Sequence, residues 1–267
     1  MHPRISVIMG IYNCAPTLPE ALDSLFAQTF TEFKVILCDD GSTDNTFAIA
    51  EKYAEKYENI VLLKNEKNIK LAATLNCCLE YVDTEYVARM DGDDISMSTR
   101  FEKEINFLDQ HMEYAFVSTA MIHFDETGDW GQGHPKEIPT NEDFRYGPPF
   151  SHAPCMVRSE VYRAVGGYTA GNNVERIEDY YLWYKIYKCG YCGYNILEPL
   201  YKMRDNRDAL ARRRFSDRIR AFKINIEVLK GLNTSLPYFY SLLNLLKVFV
   251  PNFIFEPRRR KLLKLVI

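Results

Sequence analysis

Asp91-Gly92-Asp93-Asp94 sets three carboxylates within four residues, directly after the apolar run from Tyr86 to Met90. Alternate side chains of an extended stretch point the same way, so Asp91 and Asp93 can share one ligand. Hard oxygen donors of this kind suit Mg2+ or Mn2+, which bind through one or two carboxylates and complete their shells with substrate phosphates. Gly92 lets a ligand come close to the backbone. The plainer alternative is a solvated turn whose carboxylates cap a helix. Against it stands the mutual repulsion of adjacent carboxylates, which a bound cation relieves.

A second acidic turn, Asp39-Asp40-Gly41-Ser42-Thr43-Asp44, follows another apolar run, Phe33 to Cys38. Ser42 or Thr43 can cap the helix that follows. Asp40 is a candidate acceptor for a hydrogen-bond donor on a base or ribose. Neither a P-loop nor a dinucleotide-binding glycine pattern is present, so a nucleotide here must be held by another scheme. Glu178-Asp179 opens an aromatic-rich segment, where acidic residues also suit a helix N-terminus. The seven cysteines are odd in number and scattered through apparently regular elements, which reads as reduced usage. Cys189 and Cys192 form a lone C-x-x-C pair, weak support for a metal or redox role.

The elements that must position these clusters alternate. Strands are expected at Ile5 to Ile11, Phe33 to Cys38, Ile60 to Leu63, Tyr86 to Met90 and Ala115 to Met121. Helices are expected at Leu18 to Gln28, from Ser42 or Thr43 to about Tyr57, at Leu71 to Tyr81 and at Ser98 to Gln110. This order predicts an α/β fold with a mainly parallel, Rossmann-like sheet covered by helices. Ligands of such sheets bind beyond the carboxyl ends of the strands. Gly10 to Asn13, Asp39 to Asp44 and Asp91 to Asp94 all lie at such ends. Asp125 to Pro149 reads as a long loop or lid, and Glu178 to Tyr187 as a helix.

The net charge of −3 conceals an asymmetry. Residues 1–201 hold 17 Lys and Arg against 31 Asp and Glu, a net of −14, whereas residues 202–267 hold 16 against 5, a net of +11. A basic C-terminal part of this kind seeks an anionic surface. Phe215 to Leu229 reads as an amphipathic helix. Leu236 to Phe255 is strongly apolar and is flanked by Arg212-Arg213-Arg214 and Arg258-Arg259-Arg260-Lys261. Asn244, Lys247 and two prolines interrupt it, so a helix or helix pair lying on an anionic membrane is expected in preference to a span. The alternative is a hydrophobic helix packed on the main domain. Nucleic acid is not an expected partner, because aromatic and basic residues are not interleaved as in a reader. No secretory signal is read at the N-terminus.

Ser6-Val7-Ile8-Met9-Gly10-Ile11-Tyr12-Asn13, Gln28-Thr29-Phe30, Asp39 to Asp44, and Ala88-Arg89-Met90-Asp91-Gly92-Asp93-Asp94-Ile95, in that order, resemble the family 2 glycosyltransferases. The likeness covers about residues 4–205 and is nearest to bacterial members that build capsule, O-antigen or exopolysaccharide. It implies a GT-A fold, a nucleotide-sugar donor with UDP favoured, Mn2+ or Mg2+, and inversion at the anomeric carbon. It further implies a donor half at about 1–121, an acceptor half at about 122–205 and a helical extension at 206–267. Under the resemblance Gly10 lies beneath the nucleotide, Tyr12 stacks on or beside the base, and Asp40 binds uracil. Lys70 reaches base or diphosphate, where many relatives have glycine. Asp93 is the principal metal ligand, Asp91 contacts ribose or metal, and Asp94 organises the turn.

Glu178-Asp179 matches the family's Glu-Asp motif, whose aspartate is the general base. An inverting transfer needs such a group to take the acceptor hydroxyl proton during attack. His152, in an acceptor-side segment, is expected to line the site or to be a hydrogen-bonded structural histidine. Trp183 is expected in the core rather than against a sugar. Arg204 stands where relatives often carry histidine, and an arginine there can grip diphosphate in bidentate fashion. The expected acceptor is a lipid-linked glycan, and the expected place is the cytoplasmic face of the cell membrane. Two other classes compete: a catalytically silent nucleotide-sugar sensor or scaffold, and a nucleotidyltransferase. The latter would carry a glycine-rich basic N-terminal loop, which this sequence lacks.

Overall fold

The computed structural model describes residues 2–205, 215–247 and 263. The chain opens with four strands, β1 (Ile5–Ile11), β2 (Phe33–Asp39), β3 (Ile60–Lys64) and β4 (Tyr86–Arg89). Between them run α1 (Leu18–Phe26), α2 (Thr46–Lys56) and α3 (Leu71–Leu79). The strands pair in parallel in the order β3-β2-β1-β4. Helices cover both faces, so these strands are apolar throughout rather than alternating. Ile8, Ile36 and Val87 meet Leu75 and Cys78 of α3 on one face. Val7, Met9, Val35, Leu37 and Ala88 meet α1 and α4 (Arg100–Gln110) on the other.

Beyond β4 the sheet changes character. The later strands are β5 (Ile95–Ser96), β6 (Phe116–Asp125), β7 (Gly128–Gln132), β8 (Met156–Arg158) and β9 (Gly193–Arg204). The order continues β4-β8-β6-β9-β5, with β7 paired to β6. Only β6 and β9 are parallel there; the other pairs are antiparallel. The parallel expectation therefore holds through β4 and gives way to a mixed sheet. Only Glu126 and Thr127 separate β6 from β7, too few for a parallel crossover, so the pair is a hairpin.

The expected 125–149 loop thus contains β7 and a 3-10 helix, Asn141–Tyr146, started by a capping box between Thr140 and Asp143. β6 runs four residues beyond the predicted Met121. β9 has no counterpart among the predicted strands. It carries Glu198-Pro199, and its register against β6 shifts around Ala120, which breaks the period-two signal.

Helices α5 (Ser159–Val165) and α6 (Glu178–Lys188) cover the later half. Helix α7 (Phe215–Gly231) ends two residues past its predicted boundary, and α8 (Pro237–Lys247) accounts for the first part of the apolar segment. Helix α7 packs on α6 and, with α8, on the 3-10 helix. Ile224, Val228, Leu229 and Leu232 join the same core cluster as Trp183.

Helix α8 is inside out. Ser241 is buried, while Tyr238, Phe239, Leu242, Leu243 and Leu246 are exposed along one stripe. No described helix is long and apolar enough to cross a membrane. The two arginine clusters and residues 248–255 lie outside the described residues. Leu263 returns to the domain, its carbonyl accepting the Gln132 N–H at 2.6 Å.

Candidate active site

The carboxyl ends of β1 and β2 and the start of α3 border a cleft of about 390 Å³. Gly10, Tyr12, Asp40, Lys70 and Glu178 line it together, joined by Asn68, Thr74 and the segment Ala170–Asn172. A Cβ on Gly10 would lie 3.3 Å from both Leu71 and Thr74, so the glycine lets α3 close against β1. Tyr12 is 47% exposed where it lines the cleft.

Asp40 is 4% exposed and holds the far wall in place. Its carboxylate accepts the Ile69 and Lys70 amides at 2.8 and 3.0 Å and the Asn65 side chain at 3.0 Å. Two carboxylate oxygens offer about four acceptor sites, so one remains for a ligand. Lys70, exposed beside the cleft, has φ +77°, a conformation costly for any residue with a Cβ. The acidic turn of β2 is tied to the β1 loop. Asn13 N donates to Ser42 Oγ, Thr43 N to Asn13 Oδ1, and Cys14 N to Thr46 Oγ1.

Asp91, Asp93 and Asp94 occupy three different environments. Asp91 is gripped by Arg89 through both guanidinium nitrogens, Nη1 to Oδ2 at 2.7 Å and Nη2 to Oδ1. Its amide donates to the Tyr201 hydroxyl at 3.2 Å. Asp94 turns inward and accepts the Arg204 amide at 2.7 Å. Burial, then the charges of Asp91 and Asp93, drive its pKa well above the ordinary range.

Asp93 keeps an exposed edge, but surrounding protein strips part of its hydration; that desolvation, then the Asp91 charge, raises its pKa. A Cβ on Gly92 would meet Cys14 Sγ at 2.8 Å and Ile11 at 3.2 Å, which places this turn against the cleft wall. Asp91 and Asp93 therefore adjoin the nucleotide-sized cleft without lining its enclosed part.

Arg204 lies across the outside of the turn. Its Nε donates to Asp93 O at 2.9 Å, and its guanidinium sits 4.5 Å from the Phe124 ring centre. It also pairs with Glu20. Its charge is thus already employed in holding β9 and α1 to the turn.

Glu178 and Asp179 begin α6, whose N-terminus favours negative charge. Desolvation, then the Asp179 charge, raises the Glu178 pKa. The Asp179 carboxylate accepts the Tyr180 amide at 2.7 Å. His152 Nε2 lies 2.8 Å from the Tyr168 hydroxyl, which in turn lies 3.0 Å from that of Tyr162. Burial, then the Arg89 charge, pushes the His152 pKa well below its usual value, so the ring is neutral. Trp183 is fully buried and stacks on Phe116 at 4.6 Å, as expected of a core residue.

Arg89 is the residue to which sequence reading assigned no role. It is 3% exposed, and its charge bears on Asp93, His152 and Glu178 as well as Asp91. It therefore stands between the two sides of the site. Its signal in the sequence is an arginine inside an otherwise apolar strand, immediately before the carboxylate cluster. Arg100 braces the same strand end from below, donating to the carbonyls of Arg89 and Cys155 at 3.0 and 3.2 Å.

Comparison with known proteins agrees with this architecture. The chain is 39% identical over 261 residues to the protein named putative glycosyltransferase EpsE of Bacillus subtilis (strain 168), covering 97% of this chain and 94% of that one. It is 33% identical to the UDP-Gal:alpha-D-GlcNAc-diphosphoundecaprenol beta-1,3-galactosyltransferase of Escherichia coli, covering 79% and 78%. The fold matches residues 1–349 of S. aureus TarS in complex with UDP-GlcNAc, with a TM-score of 0.72 at 22% identity, covering 94% of this chain and 73% of that one. The model of glycosyl transferase family 2 matches residues 6–166, and with these relatives it establishes that the chain belongs to that family.

Proposed function

We propose that this protein transfers a sugar, with inversion, from a UDP-linked donor to a hydroxyl of a lipid-linked glycan during assembly of a bacterial surface polysaccharide. The observation that supports the reading is a cleft with nucleotide-binding candidates on one wall and Glu178, next to Asp179 at the start of α6, on the other. Tyr12 and the remaining acceptor site of Asp40 take the base, Gly10 lies beneath the nucleotide, and Lys70 reaches the diphosphate. The UDP-GlcNAc bound by TarS and the diphosphoundecaprenol acceptor in the name of the E. coli relative support the choice of donor and acceptor.

The carboxylates also fit a divalent cation. Among the described residues no three His, Cys, Asp or Glu side chains converge as a ready metal centre. Two do adjoin the cleft, and Asp93 is partly desolvated and repelled by Asp91, a strain that a cation relieves. Such a pair suits Mn2+ or Mg2+ arriving with a diphosphate. Asp93 would hold it, with Asp91, kept in orientation by Arg89, as the shared contact. When bound, the ion neutralises charge growing on the departing diphosphate.

Asp179 takes the proton from the acceptor hydroxyl as that oxygen attacks. Glu178 helps to form the acceptor side, and neutral His152 is held by Tyr168. Arg204 fixes the turn from outside rather than gripping phosphate, since its partners are Asp93 O and Glu20. The exposed apolar stripe of α8, within a C-terminal part of net charge +11, supports seating on the anionic inner face of the cell membrane.

The test is sugar transfer from UDP-sugars to a diphospholipid acceptor, with Asp179→Asn alongside. Transfer by the variant is expected to fall by about 10²–10⁴-fold, as for loss of a general base, with donor affinity by calorimetry unchanged. Undiminished transfer by the variant would remove Asp179 from the role. Donor binding by wild type without transfer or hydrolysis would make the protein a sensor.

A further inference from the structure

A chain of buried polar groups leads from the C-terminal helices to Asp179. Tyr180 is held at both ends. Its amide donates to Asp179 Oδ1 at 2.7 Å, while its hydroxyl donates to Phe144 O at 2.9 Å and accepts from Asn225 Nδ2 at 2.9 Å. Asn225 Oδ1 in turn accepts the Ser241 hydroxyl at 2.8 Å. Tyr180, Asn225 and Ser241 are all buried, and they come from α6, α7 and α8.

Around them the contacts are apolar, from Phe144, Trp183, Ile224 and Val228. Apolar packing has no preferred direction and tolerates sliding, whereas a hydrogen-bonded chain is satisfied in one arrangement only. A buried amide left without partners is costly, so the chain holds as a unit. What it fixes is the first turn of α6, where the Tyr180 amide meets the Asp179 carboxylate.

We propose that Asn225 is a positioning residue for Asp179, so that α7 and α8 are part of the transfer machinery. Ser241 orients Asn225, Asn225 orients the Tyr180 side chain, and Tyr180 sets the carboxylate at the distance from the acceptor hydroxyl that proton removal needs. This rests on Asp179 being the base. It goes beyond that assignment by giving the C-terminal helices a part in the reaction independent of any membrane.

The test measures kcat, both KM values and Tm for Asn225→Ala, Tyr180→Phe and the double variant. Thr234→Ala serves as a control: the buried Thr234 hydroxyl, just past the end of α7, donates to Leu229 O at 3.0 Å, and Thr234 is not a member of the polar chain. Each relay variant is expected to lose about tenfold in kcat, since sub-ångström misplacement of a reacting group is this costly. The KM for donor should stay unchanged, and the double variant should be no slower than the slower single one. Thr234→Ala should lower Tm and leave kcat alone. Additive losses in the double variant, an equal kcat loss in Thr234→Ala, or full kcat in Asn225→Ala would each overturn the proposal. If Asp179→Asn is inactive while Asn225→Ala is fully active, the relay alone fails; if Asp179→Asn is active, the base assignment fails first.

Discussion

The two walls of the cleft are built on different plans. The wall proposed to take the donor is local: Asp40 is held by Asn65, Ile69 and Lys70, and the loops after β1 and β2 are tied to each other. Every one of these residues lies in the first half of the chain, within a parallel sheet of adjacent βα units. The wall proposed to face the acceptor is assembled from afar. The start of α6 depends on Phe144, Asn225 and Ser241, and His152 on Tyr168 and Tyr162. The contrast teaches that one wall is held by contacts within adjacent βα units, whereas the other draws on residues far apart in sequence, those of the C-terminal helices among them.

Arg89 is where this division is most exposed to attack, because it serves both walls. Replacing it with Met leaves Asp91 without its bidentate partner, and since Asp91 stays 29% exposed and partly solvated, the expected cost is about 1–3 kcal/mol. Urea unfolding checks the stability, and calorimetry with a UDP-sugar checks the site. Loss confined to donor binding, with normal stability, would mean that the two walls are separable at Arg89 after all.

A matched pair of glycines sharpens the comparison. Gly41 and Gly166 both have φ +70°. A Cβ at Gly41 would come within 2.8–3.0 Å of the Lys67 and Asn68 backbone, whereas at Gly166 it meets nothing within 4 Å. Gly41→Ala should therefore cost overpacking of about 1–3 kcal/mol in addition to backbone strain. Gly166→Ala should show the strain alone, at about 1 kcal/mol. Equal losses of Tm would show that the donor loops are not the tighter of the two.

A further effect is one of pH. His152 has a folded pKa far below its ordinary 6.5, so below that value the unfolded chain binds the extra proton and the folded one does not. Stability is thus fully present above about pH 6.5 and falls as pH drops, with a slope approaching about 1.4 kcal/mol per pH unit. Unfolding midpoints for wild type and His152→Gln at pH 5 and 8 measure it. The same slope in both proteins would place the acid sensitivity elsewhere.

This difference between the walls also decides what could be read in the sequence. β1 to β4 announce themselves, since each is a short apolar run ended by polar turn residues, and their order dictates a parallel sheet. The carboxylate cluster after β4 and the acidic turn after β2 are legible for the same reason. β9 is not, because Pro199 and the register shift beside it erase the alternation by which a strand is recognised. The roles of Asn225 and Ser241 were invisible, since a polar residue on a helix ordinarily faces water and only tertiary packing turns these two inward. Arg204 was legible as a residue of interest, but its employment by Glu20 depends on a contact across 184 positions.

Lys70 holds a φ of +77° that glycine would adopt freely. The strain is of order 1 kcal/mol or more for a residue with a side chain. Laboratory evolution under thermal challenge alone would be drawn toward glycine at this position, because that exchange relieves the backbone. If Lys70 meets the diphosphate, the same step would trade donor affinity for heat tolerance. A selection scheme for a sturdier form of this protein therefore has to score turnover and melting together, or it will erode the binding surface while appearing to succeed.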